Sequence, residues 1–480
     1  MPYSSVGPRG NVRYEMASKM GYLPTATNAT IRERLALYKR PETQFDATQI
    51  ERLVSDATNL DQPTSPKTRY IVAVDGSGHE IQEAFDRYPS TRVLYMQVAG
   101  VFINLQHLLD QPGHFVDPAR IADAIESSVV SGFLPGSYLE HEEYTDPQVA
   151  FRAELFELFA RTEVQHRTLL ELLHLISRHG QEEQSIAAEQ GYQIVTKCPD
   201  KDCDLHDPKA ARPGIKVPWN QPGFCPKCKN PLWATDALRI WEAFQPDASN
   251  GEALGRTHQL IEHLVLLGVA LSFEELSPKM LQHTAFICDG DLAVFGQAAR
   301  FQRCLRGAWQ ALNMRARVRG HQPPIVFGVA KSGYPVEHLH GIRRFIKRRQ
   351  FMRLDHEYMT GRLRISSLDE TYFGRKLYYH ADDGQLLCIT ILPDTDVAYD
   401  TKREAPNPKD ATPPEDLSLA SRFVTLRRTL EALDLLGTRL YDDALIPVSL
   451  AHHWAAYPLA NAERVLRVLT EQSLGKTEKG

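Results

Sequence analysis

No part of this 480-residue sequence is apolar over a stretch long enough to cross a membrane. The longest apolar runs, Leu264–Leu271 and Leu386–Leu392, are far shorter than the ~18 to 20 residues that a membrane-spanning helix needs. The segment Met1–Gly10 also lacks the apolar region of a signal peptide. These absences predict a cytoplasmic protein without a membrane partner.

The chain has no overall excess of positive charge either. Lys and Arg number 55 against 60 Asp and Glu, which gives a net charge of −5 with histidine neutral. This balance excludes a histone-like protein, so any surface for nucleic acid must be local. The sequence also lacks the GxxxxGK[ST] phosphate-binding loop, so an ATP-driven motor would have to be a separate protein.

Basic residues are nevertheless concentrated in two segments. In the segment 341–353 the candidate DNA contacts are Arg343, Arg344, Lys347 and Arg348. The second concentration comprises Arg300, Arg303, Arg306, Arg315, Arg317 and Arg319. On an acidic protein, such segments predict local positive surfaces that bind DNA with strong salt dependence and little sequence preference. The alternative is a solvated helix face, a common place for arginine.

Cysteine is scarce, but four of the seven cysteines lie in one short segment. Four residues separate Cys198 from Cys203, and two residues separate Cys225 from Cys228. This clustering predicts a tetrahedral, structural Zn²⁺ site of the ribbon type, because four thiolates leave no open position for a substrate. A redox pair is the alternative, and His206 could replace one cysteine as a ligand.

The pattern of apolar residues predicts an α/β protein. Helical spacing at 147–178 indicates a long helix or a helix pair, and a second helix is expected at 253–273. Apolar, β-branched runs indicate buried strands. These runs lie at 69–75, 92–105 (a strand or a hairpin turning near Gly100), 284–295 and 324–330, with a hairpin at 377–392.

Changes in composition suggest how the chain is divided. Residues 1–66 are expected to form a mainly helical N-terminal extension, and residues 67–460 the main domain. A zinc-binding insertion at 192–236 lies within that domain, and residues 461–480 form the end of a C-terminal helix and a tail. The segment 398–416, rich in Pro, Lys and Asp, is expected to be a mobile loop.

Two aspartates follow apolar runs and precede glycine. Asp75 is followed by Gly76-Ser77-Gly78 and Asp289 by Gly290, so each is expected where a strand ends in a glycine turn. Such positions let a carboxylate project from the rim of a sheet without burying its charge. With a helix acid, two converging carboxylates would form an oxygen-rich site for Mg²⁺ or Mn²⁺. Each Asp-Gly alone is also consistent with an ordinary turn.

Five sequence blocks, taken in order, resemble the NurA family of DNA-repair nucleases. They are IVAVDGSG (71–78), TDALRIWE (235–242), AFICDGDLAVFG (285–296), FGVAKSG (327–333) and PVSLAHHWA (447–455). The resemblance covers roughly residues 67 to 460. It implies an RNase H-like core, which is a mixed sheet flanked by helices, with the zinc-ribbon-like element inserted into it.

The same resemblance implies the residues of the active site. Asp75 and Asp289 would bind Mn²⁺ or Mg²⁺ together with a helix glutamate, for which Glu262 is favoured and Glu154 is the alternative. His452 matches the family's histidine on a C-terminal helix, where an imidazole would orient water or contact the scissile phosphate.

Further properties are implied in the same way. Lys331 would meet a phosphate or a carboxylate, and Tyr441 is the nearest candidate for a tyrosine that the family carries upstream of its histidine. The implied activity is that of a 5′ to 3′ exonuclease with some single-strand endonuclease activity. The implied partners are DNA ends and single strands, a second copy in a homodimer, and a hexameric HerA-type ATPase. The implied role is DNA end resection or antiphage defence.

Two other functions fit parts of the sequence. A catalytically inactive zinc-ribbon protein that tethers DNA or an ATPase would need the cysteines and arginines, but not Asp75 or Asp289. A phosphotransferase would use the turn at 75–78 to hold nucleotide phosphates, and it would leave the FGVAKSG and LAHHWA blocks without a role.

Overall fold

The computed structural model describes residues 4–6, 12–14, 22–38, 45–83, 88–105, 125–365, 368–394, 422–437, 445–456 and 462–474. The chain divides into two units, Met1–Thr48 and Gln49–Gly480. The first unit contains a hairpin and two helices: Ser4–Val6 with Val12–Tyr14, Leu23–Thr27 and Ala29–Ala36. The side chain of Asn28 accepts hydrogen bonds from two backbone N–H groups of the second helix, which fixes where that helix begins.

The second unit is built on a mixed sheet of nine strands. In chain order the strands are β1 (Val54–Asp56), β2 (Tyr70–Gln82), β3 (Arg92–Asn104), β4 (Ile125–Pro135), β5 (Thr284–Asp289), β6 (Ile325–Ala330), β7 (Gln350–Arg353), β8 (Arg375–His380) and β9 (Leu386–Ile391). Their spatial order is β1-β7-β8-β9-β6-β5-β2-β3-β4. Strands β2, β5 and β6 are parallel to one another, and the other neighbours are antiparallel.

Helices cover both faces of this sheet. The main helices are α1 (Pro147–Arg161), α2 (Leu169–Ser177), α3 (Gly251–Leu276), α4 (Gln302–Val318), α5 (Leu426–Leu436) and α6 (Ile446–Ala455). Val72 and Val74 of β2 share a hydrophobic core with α1 to α4. Ile71 and Ala73 point the other way and share a second core with α5 and α6. The predicted mixed sheet with flanking helices is therefore confirmed.

Shorter elements complete the described part of the chain. The remaining α-helices are Ala47–Leu53, Glu182–Glu189, Pro278–Leu281, Tyr334–Ile342, His356–Gly361, Leu368–Thr371 and Ala462–Leu474. The 3₁₀ helices are Ala57–Asn59, Asp204–His206, Ala234–Leu238, Ile240–Ala243, Gly296–Phe301 and Arg343–Phe345. Three small two-stranded pairs are Glu163–Val164 with Arg167–Thr168, Tyr192–Val195 with Ile215–Pro218, and Gly223–Phe224 with Pro231–Leu232. No helix among the described residues is long and apolar enough to span a membrane.

Several predicted elements are confirmed. The helix pair at 147–178 corresponds to α1 and α2, the helix at 253–273 to α3, and the hairpin at 377–392 to β8 and β9. The N-terminal boundary at residue 66 stays a prediction, although β1 belongs to the sheet of the second unit. The segment 398–416 and Tyr441 lie outside the described residues.

The glycine turn expected after Asp75 is wrong. Strand β2 continues through Gly76 and Gly78 to Gln82, because β3 pairs with it along its whole length. Glycine serves a different purpose here, since a Cβ at Gly78 would lie 2.8 Å from the Leu254 side chain of α3. The absence of a side chain lets the helix approach the strand. Of the two alternatives for 92–105, the strand is correct, because Gly100 lies inside β3 and pairs with Val74 of β2.

Candidate active site

The register of the central strands places the two aspartates side by side. Parallel pairing aligns Val74 of β2 with Cys288 of β5, so the next residues, Asp75 and Asp289, are neighbours. Because side chains alternate along a strand, both aspartates lie on the face that α6 covers. Asp289 ends its strand, as predicted, and Gly290 follows with a φ of 96°.

Helix α6 brings His452 to this pair. The helix packs on the sheet through Val448, Ala451 and Ala455, which are buried. His452 Nδ1 lies 2.7 Å from Asp75 Oδ2. The possible ligand atoms of Asp75, Asp289 and His452 all lie within 4.8 Å of one another. The imidazole is 61% exposed, so it is accessible from solvent.

Lys331 reaches the site from the third parallel strand. Val329 of β6 pairs with Asp289, and Lys331 follows two residues later on the same face. Its Nζ donates a hydrogen bond of 2.7 Å to Asp289 Oδ2. Three neighbouring parallel strands thus supply Asp75, Asp289 and Lys331.

Glu262 approaches from the opposite face of the sheet. It is buried on α3, and a Cβ at Gly76 would lie only 2.5 Å from its Oε1 atom. Gly76 therefore makes room for this carboxylate next to Asp75. Glu262 is not part of the three-residue group within 4.8 Å, but its pKa is raised well above the usual range by burial and by the charges of Asp75 and Asp289.

The alternative helix acid, Glu154, lies elsewhere. It is partly buried on α1, and burial raises its pKa. Its charged neighbours are Arg161, Glu157 and His141, and neither aspartate of the site is among them. The structure thus places Glu262, and not Glu154, beside the aspartates.

The site has more negative than positive charge. Burial raises the pKa of Asp75, and the nearby Asp289 carboxylate raises it further, while His452 and Lys331 act in the opposite direction. Three carboxyl groups thus lie close together with one lysine as a permanent counter-charge. Carboxylate oxygens are the ligands that Mn²⁺ and Mg²⁺ prefer, so the acidic residues fit the predicted metal.

The structure brings the four clustered cysteines together, apart from the candidate active site. Their sulfur atoms lie within 4.8 Å of one another, with 3.6 Å between Cys198 and Cys228 and 3.7 Å between Cys203 and Cys225. A tetrahedron of thiolates around Zn²⁺ has sulfur separations of about 3.8 Å, because each Zn–S bond is ~2.3 Å. The four sulfurs therefore fit zinc. His206 Nδ1 instead lies 2.8 Å from the carbonyl oxygen of Cys198.

A buried ion pair that the sequence did not reveal fastens the end of the segment 192–236 to α1. Asp236 accepts hydrogen bonds of 2.8 and 2.6 Å from the guanidinium of Arg152 on α1. Its carboxylate also accepts the backbone N–H of Trp233. Asp236 belongs to the TDALRIWE block, so this block has a structural task. The sequence could not predict this pair, because Arg152 and Asp236 are far apart in the chain.

A second buried pair borders the active site. Lys376 of β8 is fully buried, and its Nζ donates a hydrogen bond to Asp291. Asp291 lies two residues after Asp289, so the loop that follows β5 is held by this contact. The sequence feature that could have revealed this pair is the lysine within the apolar strand 375–380, because a buried lysine needs a charged partner.

The first basic segment is exposed as predicted. Arg343, Arg344, Lys347 and Arg348 all face solvent. The Arg344 guanidinium lies 4.8 Å from the ring centre of Phe345, and Arg348 donates a hydrogen bond to the carbonyl oxygen of Asp382. These contacts hold two of the four side chains while their charges remain accessible.

The second basic concentration does not form one positive surface. Arg306 is buried, and both Arg315 and Arg319 form ion pairs with Glu274. Arg317 pairs with Asp394. The prediction was wrong because Arg315, Arg317 and Arg319 are held in ion pairs and Arg306 is withdrawn from the surface.

NurA nucleases are among the solved structures that match this chain. The NurA nuclease from Sulfolobus solfataricus matches with 8% sequence identity and a TM-score of 0.33, over 96% of this chain and 99% of that chain. Another NurA crystal structure matches with 10% identity and a TM-score of 0.27, over 97% and 99% of the two chains. No protein-family model and no curated protein matches the sequence. Because these TM-scores are low, function has to be argued from the site itself.

Proposed function

We propose that the protein is a metal-dependent deoxyribonuclease. The observation that carries this proposal is the convergence of Asp75, Asp289 and His452 within 4.8 Å, with the buried carboxyl group of Glu262 beside them. Asp75 and Asp289, with Glu262, would hold Mn²⁺ or Mg²⁺. Such an ion supplies polarisation of the scissile phosphate and acidification of the attacking water.

The protein residues have separate tasks in this reaction. An ionised Asp75 can only accept a hydrogen bond, so His452 donates from Nδ1 and its Nε2 atom is left to accept a proton. With most of its ring exposed, His452 can exchange a proton with water or with the leaving group. Lys331 holds Asp289 and can also offer its charge to a phosphate.

The finer activity follows from the resemblance to NurA nucleases. We propose a 5′ to 3′ exonuclease with single-strand endonuclease activity that acts as a homodimer with a HerA-type hexameric ATPase, in DNA end processing or antiphage defence. The exposed residues Arg343, Arg344, Lys347 and Arg348 would contact the DNA backbone. Zn²⁺ held by the four cysteines would stabilise the insertion.

The test is cleavage of linear and single-stranded DNA, labelled at the 5′ or the 3′ end, with Mn²⁺, Mg²⁺ or a chelator. Asp75→Asn and Asp289→Asn keep the side-chain shape, and each is expected to abolish metal-dependent cleavage while the protein still unfolds cooperatively on heating, as the wild type does. Glu182→Gln, an exposed acid on another helix, is the matched control and should cleave normally.

The labels also decide polarity, because a 5′ label is released first by a 5′ to 3′ enzyme. Wild-type protein that stayed inactive with every metal, also after addition of a HerA-type ATPase, would refute the nuclease. In that case the catalytically inactive tethering subunit would become the better interpretation.

A further inference from the structure

A cavity of about 1050 Å³ lies between the zinc-binding insertion and the main domain. Its walls come from the helix Glu182–Glu189, the strand Tyr192–Val195, the insertion loop 208–214 and the 3₁₀ helix Gly296–Phe301. None of the proposed active-site residues lines it. The cavity therefore has no role in the proposed nuclease reaction.

Arg300 is the charged group at the wall of this cavity. Its guanidinium donates to the carbonyl oxygen of Ile194 at 2.7 Å and to Gln184 Oε1 at 3.4 Å, and both acceptors are neutral. Within the described residues no carboxylate forms an ion pair with it. Arg300 is partly buried, and this burial lowers its pKa. A cation in this situation is stabilised by an anion that enters the cavity.

Two further arginines line the cavity from opposite sides. Arg212 belongs to the insertion and Arg303 to the first turn of α4, and both are exposed. Neither forms a hydrogen bond or an ion pair with another described residue. Arg239 also lines the cavity, but Glu242 already holds its guanidinium through two hydrogen bonds.

The rest of the lining agrees with a polar, anionic ligand. Glu183, whose charge acts on Arg300, and Glu370 reduce the positive charge, so three arginines that form no ion pair among the described residues face two glutamates. The buried hydroxyl of Thr196 at the same wall has no hydrogen-bond partner among the described residues. Guanidinium groups match the oxygens of phosphate, and the volume is at the upper end of the range for small-molecule sites.

We propose that this cavity is a binding site for a phosphate group, carried either by a free nucleotide or by a nucleic acid strand. Arg300 contacts the phosphate at the wall, and Arg212 and Arg303 approach it from the two sides of the cavity. The site does not depend on the nuclease activity proposed above, because its residues are distinct from the metal ligands.

The test measures binding of three probes by calorimetry: inorganic phosphate, dAMP and a 15-nucleotide oligo(dT). All proteins carry Asp289→Asn, so that the result is independent of cleavage. The variants are Arg300→Gln and the double variant Arg212→Gln with Arg303→Gln. The matched control removes two exposed lysines outside the cavity, Lys67→Gln with Lys279→Gln.

We expect the double variant to weaken binding of at least one probe by about tenfold or more, which corresponds to ~1.4 kcal/mol, while the control stays within about twofold. Binding of dAMP or phosphate identifies a nucleotide site, and binding of oligo(dT) alone identifies a strand site. If Arg300→Gln does not fold, the exposed pair Arg212 and Arg303 still decides the question. The proposal is overturned if no probe binds, or if the double variant binds every probe as the control does.

Discussion

Gly76 lies where the acids of the candidate active site approach each other from the two faces of the sheet. Asp75 points to the face that α6 covers, whereas Gly76 faces α3 and leaves space for the carboxyl group of Glu262. Asp75 and Glu262 therefore approach each other from opposite faces of the sheet at the peptide unit between Asp75 and Gly76. Any side chain at this position would have to displace Glu262.

Gly76→Ala tests this close approach. Its Cβ would lie 2.5 Å from Glu262 Oε1, so we expect a loss of about 1 to 3 kcal/mol in stability and a clear loss of metal-dependent cleavage. Thermal unfolding and a nuclease assay measure the two effects. Gly255→Ala is the matched control, because it lies on the same helix as Glu262 and has no atom within 4 Å of the new Cβ. That variant should be unchanged or slightly more stable.

Glu262→Gln tests the repulsion among the acids. Because its folded-state pKa is raised, the folded protein holds a proton that the unfolded chain has lost, and stability falls as the pH rises above the ordinary glutamate range. The variant removes this charge, so at pH 8 and without added metal it should be more stable than the wild type, by ~1.4 kcal/mol per unit of raised pKa. The difference should vanish near pH 4.

The response to metal separates the two candidate glutamates. Mn²⁺ should raise the unfolding midpoint of the wild type and of Glu154→Gln, and it should raise that of Glu262→Gln much less. An equal response in all three proteins would contradict a role of Glu262 in metal binding.

At the scale of whole elements, the helices and the hairpin of the sheet were predictable, because their apolar spacing is strong. The convergence of the site was not, because sequence spacing carries no information on strand register. The pairing of Val74 with Cys288 is what joins Asp75 to Asp289. The turn predicted at Gly76 was wrong, because glycine at this position lies inside a strand and permits a close contact with a helix.

Helix α6 presents two adjacent histidines with different environments. His452 bonds to Asp75, whereas His453 lies about 100° further around the helix and is exposed. We expect His452→Ala to lower the cleavage rate by about 10²-fold or more, with little change in stability. His453→Ala, the matched control, should cleave at nearly the wild-type rate. Equal rates for the two variants would exclude His452 from proton transfer.

We expect the segment that carries the four clustered cysteines to depend on a bound metal ion. We expect one zinc ion per chain by elemental analysis, and Cys225→Ser should remove it and open the segment 198–228 to proteolysis. Cys304→Ser, a buried cysteine outside the cluster, should retain the zinc. Full zinc content in Cys225→Ser would contradict the four-thiolate site.

At the scale of the molecule, the proposed binding of DNA to a chain of net negative charge requires a local positive surface. We propose that the exposed arginines and lysine of segment 343–348 form this surface. Removing two charges with Arg344→Gln and Lys347→Gln should lower the slope of log affinity against log salt by about 1.4 for single-stranded DNA. The control Lys67→Gln with Lys279→Gln should leave this slope unchanged. An equally large decrease of the slope in the control would contradict a contact localised to segment 343–348.

The hydrogen bond from Lys331 to Asp289 should link the binding of metal to the binding of DNA. A cation that binds at Asp289 competes with the ammonium group of Lys331, and the displaced lysine becomes available to a phosphate. Metal and DNA should therefore bind cooperatively. By thermodynamic reciprocity, DNA must tighten metal binding by the same factor by which metal tightens DNA binding.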